Sequence, residues 1–467
     1  MLEYMPALVR RPDTEQKLDL LTESARFDVC LASCANNSQG GVGRFRDPAD
    51  PMERWIYPAT VPGRGQVGIL KVLMTNACPN NCSYCALAAC RRAVRRVSFE
   101  PQELAAAFMR LVGAGAVHGL FLSSGVGRGA DAEMERMVRT AELLRQRYAF
   151  RDYIHLKVLP GASRSLVEAA SRLATRLSIN LESPNPAFLR TVAPDKSFVE
   201  DLLVRMKWIG ECVRGGREST AAQSRAVSQT TQFVVGAAGE TDLDILRTVD
   251  WVYRELYVFR SYFSAVQPVD PVGGPTAGRP GGAVPLDREH RLYQSDFLLR
   301  GYGFRLEDLV FDASGALPRE VDPKMAYAMM HPELYPLDVN RASEQELLRI
   351  PGIGPLSALR IVTARKEGTL RDATDLAKLG ARARRAAPYI EFSGRRPASG
   401  TEGQMELFDV AEAARAQGWR MNNEPLQGEK IRRGSGGLHA APYCYPAQVS
   451  RRLYYGTSRL RPVIRCR

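Results

Sequence analysis

At 467 residues and 45% hydrophobic, the chain can bury at least one large core, and its length suggests roughly three domains unless one is a barrel. No window approaches a membrane span, and the opening MLEYMPALVRRPD has no apolar run of signal-peptide length, so a cytoplasmic protein with no membrane partner is expected. The net charge of +13 is uneven: residues 430–467 carry Lys430 and eight arginines with no Asp or Glu, which is +9 and leaves a mildly basic body of +4.

In chain order, an amphipathic helix is expected over about 13 to 26, followed by a loop-rich approach to residue 67. From there strands alternate with helices. The strands read GILKVLMTN (68–76), GLFLSSG (119–125), YIHLKVL (153–159), RLSINLES (176–183), SQTTQFVVG (228–236) and VFRSYFSAVQP (258–268), separated by helical patterns such as PQELAAAFMRLVGAG and DAEMERMVRTAELLRQR. Six such units imply an α/β fold with a parallel sheet or partial (βα)6 barrel.

Two strands are two-faced. Leu177, Ile179 and Leu181 share one side and Ser178, Asn180 and Glu182 the other, while Ile154, Leu156 and Val158 oppose His155 and Lys157. A buried parallel strand normally reads apolar on both faces. If helices cover the apolar side, the polar side lines a lumen that holds a polar ligand; the alternative is an edge strand with one wet face.

TNACPNNCSYC, residues 75–85, follows the first strand and so projects from the carboxyl end of the sheet, where ligands of β/α folds collect. In a reducing compartment clustered thiols mean metal or catalysis rather than disulfides. Cys78, Cys82 and Cys85 stand in C-x3-C-x2-C spacing; Cys30, Cys34, Cys90, Cys212, Cys444 and Cys466 lie outside the trio. A structural zinc site wants four ligands, which Cys90 could complete. Three thiolates on a four-iron four-sulfur cluster instead leave one iron open to a small molecule.

This loop, with Tyr84 before its last cysteine, resembles the radical S-adenosylmethionine (SAM) superfamily, whose fold is a partial TIM-type (βα)6 barrel. The resemblance implies that Cys78, Cys82 and Cys85 hold a [4Fe-4S] cluster, that SAM chelates the open iron, and that one electron from an external donor cleaves SAM to methionine and a 5′-deoxyadenosyl radical. The superfamily's Gly-Gly-Glu-like segment is replaced here by Ser123, Ser124 and Gly125, so contacts to the SAM amino group would come from carbonyls and hydroxyls. Asn180 and Glu182 are then candidates for the ribose or carboxylate, and Gly236 for close approach to the adenine.

Downstream, LDVNRASEQELLRIPGIGPLSALRIVTARK (337–366) resembles a helix-hairpin-helix DNA-binding motif in a small all-α domain. Gly352, Ile353 and Gly354 form its turn, where backbone N–H groups at a helix start suit a DNA phosphate and hold DNA without reading sequence. EGTLRDATDLAKLG resembles the start of a second, degenerate hairpin with Gly380 at its turn; a purely structural or protein-binding hairpin is the alternative. In combination, ARFDVCLASC, the cysteine loop, FLSSGV, LKVLPG, SINLESPN, REHRLYQSDFLLRGYGF, DPKMAYAM and the hairpin resemble the radical SAM proteins assigned to DNA modification or repair, over roughly 15 to 395. That resemblance implies an enzyme acting on DNA, often considered alongside a uracil-DNA-glycosylase-like partner.

The expected domains are an N-terminal helical cap (1–60), the barrel (61–270), a Gly/Pro loop and helical connector (271–335), the hairpin domain (336–392) and a flexible basic tail (393–467). Arg288, His290, Arg291 and Tyr293 on the connector could face substrate phosphates or only solvent. The tail could be a nucleic-acid arm or a solvated end. Within it QMELFD resembles the Q-x-x-L-F peptide that docks on a sliding clamp, through Gln404, Leu407 and Phe408; the alternative is the first turn of a packed helix. A hairpin-type glycosylase with an iron–sulfur cluster would place its cysteines after the hairpin, so the order argues against it. A non-catalytic DNA-binding scaffold, with a structural or redox-sensing iron–sulfur or zinc site, is the competing reading.

Overall fold

The computed structural model describes residues 12–25, 55–61, 65–91, 94–218, 227–266, 284–397 and 407–422. One seven-stranded sheet dominates, its strands side by side in chain order: β1 (Ile56–Val61), β2 (Gly65–Leu73), β3 (Gly119–Ser123), β4 (Tyr153–Lys157), β5 (Arg176–Ser178), β6 (Ser228–Val235) and β7 (Val258–Ala265). β2 to β7 are parallel, as the six sequence units imply, and curl into a half-barrel; β1 adds an antiparallel edge ahead of them.

Helices cover the outer face for readable reasons. Pro101–Gly113 opens with a reciprocal Glu100/Glu103 capping box and proline in its first turn, then buries Leu104, Phe108 and Leu111 at helical spacing. Asp242–Glu255 starts from a Thr241/Asp244 box and buries Ile245, Val249 and Val252. Against them lie Leu120, Leu122, Ile154, Leu156, Leu177, Ile179 and Leu181, all within 1% of complete burial. Each such leucine contributes about 1.5–3 kcal/mol of burial. The two-faced strands therefore turn their apolar side to the helices and their polar side inward.

The last barrel strand would leave its outer edge unpaired, a liability in any open sheet. Side chains cover it. Ser261 N–H donates to the Tyr253 hydroxyl at 2.7 Å, Phe263 N–H to the Tyr293 hydroxyl at 2.9 Å, and Ala265 N–H to Glu289 at 2.7 Å. Tyr293 and Glu289 belong to the helix Leu286–Gly301. The same helix sends Arg288 to Asp242 (2.6 Å) and to the Glu240 carbonyl (2.7 Å). Arg288 and Tyr293, which the sequence leaves open to substrate phosphates or solvent, are both taken up in closing the barrel. Arg291 bonds Gln294 and the Arg319 carbonyl.

Beyond the connector, helices Glu344–Arg349 and Pro355–Ala364 flank the first hairpin and Ala373–Lys378 and Ala383–Ala386 the second, on a separate core that includes Leu347, Ile350, Ile353, Ile361 and Leu376. The module's entering strand Leu337–Asp338 pairs in parallel with its leaving strand Ile390–Glu391.

Part of the expected flexible tail is folded. Helix Leu407–Ala416 packs on helix Pro323–Met330, Ala411 and Ala414 are buried, and Arg420–Met421 pairs antiparallel with Val310–Phe311. The apolar Trp419 and Met421 join the barrel core, which explains why this stretch does not behave as solvated tail. Gln404 lies outside the described residues. No helix among the described residues is long and apolar enough to cross a membrane.

Candidate active site and nucleic-acid interface

The cysteine loop crosses the carboxyl end of the sheet. Its base is fixed by Asn76, whose side chain accepts from Val97 N–H (2.8 Å) and donates to the Arg95 carbonyl (3.0 Å). Arg96 returns two bonds, to the carbonyls of Asn76 (2.6 Å) and Leu87 (2.9 Å), and so clamps both ends of the loop. Cys82 is buried, Cys78 and Cys85 are half-buried and Cys90 is exposed. Leu87 N–H points at Cys85 Sγ from 3.3 Å.

Ser123, Ser124 and Gly125 pack beneath this loop. Gly125 N–H donates to the Thr75 carbonyl at 2.8 Å, and a Cβ on Gly125 would strike the Ala77 carbonyl oxygen, so glycine is required for the two segments to meet. Ser124 Oγ is buried without a partner among the described residues. Asn180 and Glu182 follow β5, at 7% and 6% exposure. Glu182 has a left-handed φ of 64°, costly for a side chain of this size, yet both its backbone groups are used, N–H to Gln232 (2.9 Å) and carbonyl from Val234 (2.8 Å).

Sequence reasoning missed the residue that links these parts. Lys196 lies 3.6 Å from the Glu182 carboxylate and 3.1 Å from the Tyr84 hydroxyl. Burial opposes its charge, but Glu182 and the thiols of Cys82, Cys85 and Cys78 outweigh that and hold Lys196 above the usual lysine range. Burial in turn raises the Cys82 thiol, which Lys196 partly offsets, and raises the Tyr84 phenol. No spacing rule marks Lys196: it sits in a loop after the helix Pro186–Val192, and only the local composition APDKS distinguishes it.

Gly236, φ 79°, is held by Glu240, whose carboxylate accepts from the N–H groups of Gly236 and Ala238. The space a side chain would fill at Gly236 is taken by Val284, with Arg288 beside it.

No three His, Cys, Asp or Glu among the described residues converge as the ligands of a single metal ion. A four-iron cluster binds its three thiolates on three different irons, so three cysteines in one loop, beside a buried lysine whose charge their thiols favour, fit such a cluster.

In the hairpin module Gly352 has φ 92°, and its Cβ would lie 2.7 Å from the Arg382 carbonyl. Arg382 N–H returns a bond to the Gly352 carbonyl at 2.9 Å. The second turn mirrors the first: Gly380, φ 87°, faces Arg360 and Ser357. Two hairpins thus back onto each other through their glycines. Gly354 caps Pro355–Ala364 without a side-chain bond, Ile353 is buried, and its carbonyl accepts from Lys324 Nζ at 2.5 Å. From 336 to 397 there are twelve Lys or Arg against seven Asp or Glu.

Family comparison matches residues 72–252 to the Radical SAM superfamily and residues 335–380 to the helix-hairpin-helix motif. Among solved structures the chain is similar to HydG, a maturase of the [FeFe]-hydrogenase (11% identity, TM-score 0.39, covering 50% of this chain and 49% of that one). It is also similar to HydG from Carboxydothermus hydrogenoformans (16%, TM-score 0.35, 50% and 51%) and to methylornithine synthase, PylB (15%, TM-score 0.39, 50% and 61%). The chain spans about half the length of the two HydG chains. Comparison with curated proteins finds no match.

Proposed function

Because the chain carries a radical SAM domain, with the [4Fe-4S] cluster and SAM as that domain's cofactors, and a helix-hairpin-helix motif, we propose that it is a radical SAM enzyme acting on DNA. The observation that supports this most directly is the joining, in one chain, of a three-thiol loop over a polar-lined barrel to a paired hairpin whose first turn, Gly352 to Gly354, leads into the helix Pro355–Ala364.

Cys78, Cys82 and Cys85 would hold the cluster, which when bound with SAM supplies one-electron cleavage to methionine and a 5′-deoxyadenosyl radical. The chain's own residues orient and shield. Ser123, Ser124 and Gly125 offer two hydroxyls and their carbonyls to an ammonium group, and the unpartnered Ser124 Oγ suits that role. Asn180 and Glu182 face ribose hydroxyls or a carboxylate, with Lys196 fixing Glu182 and offsetting thiolate charge. Gly236 lets Val284 and Arg288 close over the loop after β6. The Gly352-Ile353-Gly354 turn grips a DNA phosphate through backbone N–H groups, independent of sequence. Gln404, Leu407 and Phe408 would offer a sliding clamp a docking peptide that runs into the helix Leu407–Ala416.

The test is anaerobic incubation of reconstituted protein with dithionite, SAM and DNA. The expected result is 5′-deoxyadenosine together with a mass change in the DNA. A cluster-loaded protein that makes no 5′-deoxyadenosine would overturn the enzyme reading in favour of a scaffold, and turnover with unaltered DNA would overturn the substrate.

A further inference from the structure

The backbone of the first hairpin turn can be accounted for group by group. Ile353 N–H donates to the Ile350 carbonyl at 3.2 Å, the Gly352 carbonyl accepts from Arg382 N–H at 2.9 Å, and the Gly354 carbonyl accepts from Ala358 N–H at 2.8 Å. The Ile353 carbonyl is taken by Lys324 Nζ at 2.5 Å. Pro351 and Pro355 carry no N–H. The remaining groups of the turn, Gly352 N–H and Gly354 N–H, donate to no acceptor among the described residues.

Lys324 comes to this turn from outside the hairpin. It lies on helix Pro323–Met330 and is buried, 8% exposed. Its ammonium sits 4.8 Å from the Tyr302 ring centre, and the Tyr302 hydroxyl stands 3.4 Å from where a Gly354 side chain would begin. The Ile353 carbonyl and the Gly354 N–H belong to one trans peptide plane and point in opposite directions. A bond that holds the carbonyl inward on Lys324 therefore holds the N–H outward. The buried charge also polarises that peptide and adds to the positive end of the helix Pro355–Ala364.

The charged and titratable groups around the amine come from several elements. Arg349, at the end of helix Glu344–Arg349, opposes the Lys324 charge and is itself paired with Asp308 at 2.9 Å. Asp322, two residues before Lys324, accepts from Met325 N–H at 3.1 Å and pairs with Arg385. Tyr302 presents its ring, and Tyr327, one turn along the lysine's own helix, has a phenol that burial raises. Burial, with Arg349, lowers the Lys324 pKa to about 7, so this amine changes charge in the neutral range.

Resting on the reading of the hairpin as the DNA grip, we infer that Lys324 is its positioning residue: from behind the turn it fixes the Ile353–Gly354 peptide with the N–H toward a DNA phosphate and supplies a charge that the phosphate meets. By ordinary peptide and hydrogen-bond lengths the phosphate oxygen lies about 7 Å from the ammonium, inside the screening length of physiological salt. A bound phosphate favours the charged amine, and the charged amine favours the phosphate by the same factor. Below about pH 7 the amine is already charged and DNA affinity is level. Above it, binding recruits a proton, and affinity falls with rising pH, by at most about tenfold per unit, until the raised pKa of the bound state is passed.

Fluorescence anisotropy of the full, cluster-reconstituted chain with a labelled duplex of arbitrary sequence, from about pH 6 to 9 at fixed salt, tests this. The wild type is expected to bind evenly up to about pH 7 and to lose about tenfold by pH 9. Lys324→Arg, charged throughout, should bind tightly with a level profile. Lys324→Met should bind about tenfold more weakly than the wild type at pH 6 and match it at pH 9. A lysine that only supported the fold would shift thermal melts and leave the wild-type binding profile level. Should arginine not fit the buried site, calorimetric titration of the wild type in two buffers of different ionisation heat decides, with part of a proton taken up on binding at pH 8 and none at pH 6. A level wild-type profile without proton uptake, or Lys324→Met binding as tightly as the wild type at pH 6, would overturn the role of Lys324 and leave the DNA reading standing. A wild-type chain that binds no duplex even at pH 6 would overturn the DNA reading of the hairpin and this inference with it.

Discussion

The barrel and the hairpin module carry their chemistry on opposite parts of the chain. In the barrel the groups that meet are side chains, the three thiols, Glu182 and Lys196, set at the ends of strands that pair along the sheet. In the hairpin module Leu347, Ile350, Ile353 and Ile361 are spent on a core, and what the turn offers is backbone at Gly352 and Gly354. A substitution in the barrel therefore deletes a functional atom from an unchanged frame. A substitution at a hairpin glycine moves the frame itself.

The largest effects should come from the loop. Cys78→Ala, Cys82→Ala and Cys85→Ala are each expected to abolish the cluster's visible absorbance and 5′-deoxyadenosine formation, whereas Cys90→Ala, at an exposed position, leaves both. Loss from Cys90→Ala alone would mean a closed four-cysteine site.

Lys196→Met comes next. It strands the buried Glu182 carboxylate, a change expected to cost about 3–5 kcal/mol by denaturant midpoint. Adding Glu182→Gln should recover much of the loss, since the two are coupled; strictly additive losses would show that the pair does not interact.

Gly352→Ala and Gly354→Ala sharpen the backbone side of the comparison. Gly352 combines φ 92° with a Cβ 2.7 Å from the Arg382 carbonyl, so alanine should cost about 1–3 kcal/mol and weaken DNA binding. Gly354 has φ −98° and a Cβ 3.4 Å from the Tyr302 hydroxyl, and alanine there should stay within about 0.5 kcal/mol. Equal effects in thermal melts would contradict a turn defined by Gly352.

A pH-dependent effect concerns Lys324, whose burial, with Arg349 nearby, lowers its pKa to about 7. Its folded value lies below the unfolded one, so between about pH 7 and 10 the unfolded chain binds a proton the folded chain has released, and stability rises with pH by at most about 1.4 kcal/mol per unit. Subtracting the Lys324→Met profile isolates this slope. A flat difference would show that the Ile353 carbonyl, 2.5 Å away, keeps the amine charged.

The strands, the inward polar face and the thiol loop were legible because period-two patterning and cysteine spacing are local signals. His155, Lys157, Ser178, Asn180 and Glu182 were placed inward from alternation alone, and all five lie on that face or just beyond its end. Lys196 and Lys324 escaped because their importance lies in what crosses from other segments. Arg288 and Tyr293 were left open for the same reason: a polar helix face suggests solvent or phosphate until an unpaired strand edge is found beside it. The left-handed turn at Glu182 breaks the preference of its residue type, so no propensity could announce it.

The pairing of Leu337 with Ile390 and of Asp338 with Glu391 has an engineering consequence. The hairpin module leaves and rejoins the chain through adjacent strands, about 4.8 Å apart. It is thus a cassette with a single footprint: its contour can lengthen, shorten or be exchanged without displacing either junction. Orientation on that footprint is pinned separately, by Arg349 to Asp308 at 2.9 Å and by Arg385 to Asp322. Swapping the cassette while conserving those two arginines would re-aim the same barrel at a different nucleic-acid shape.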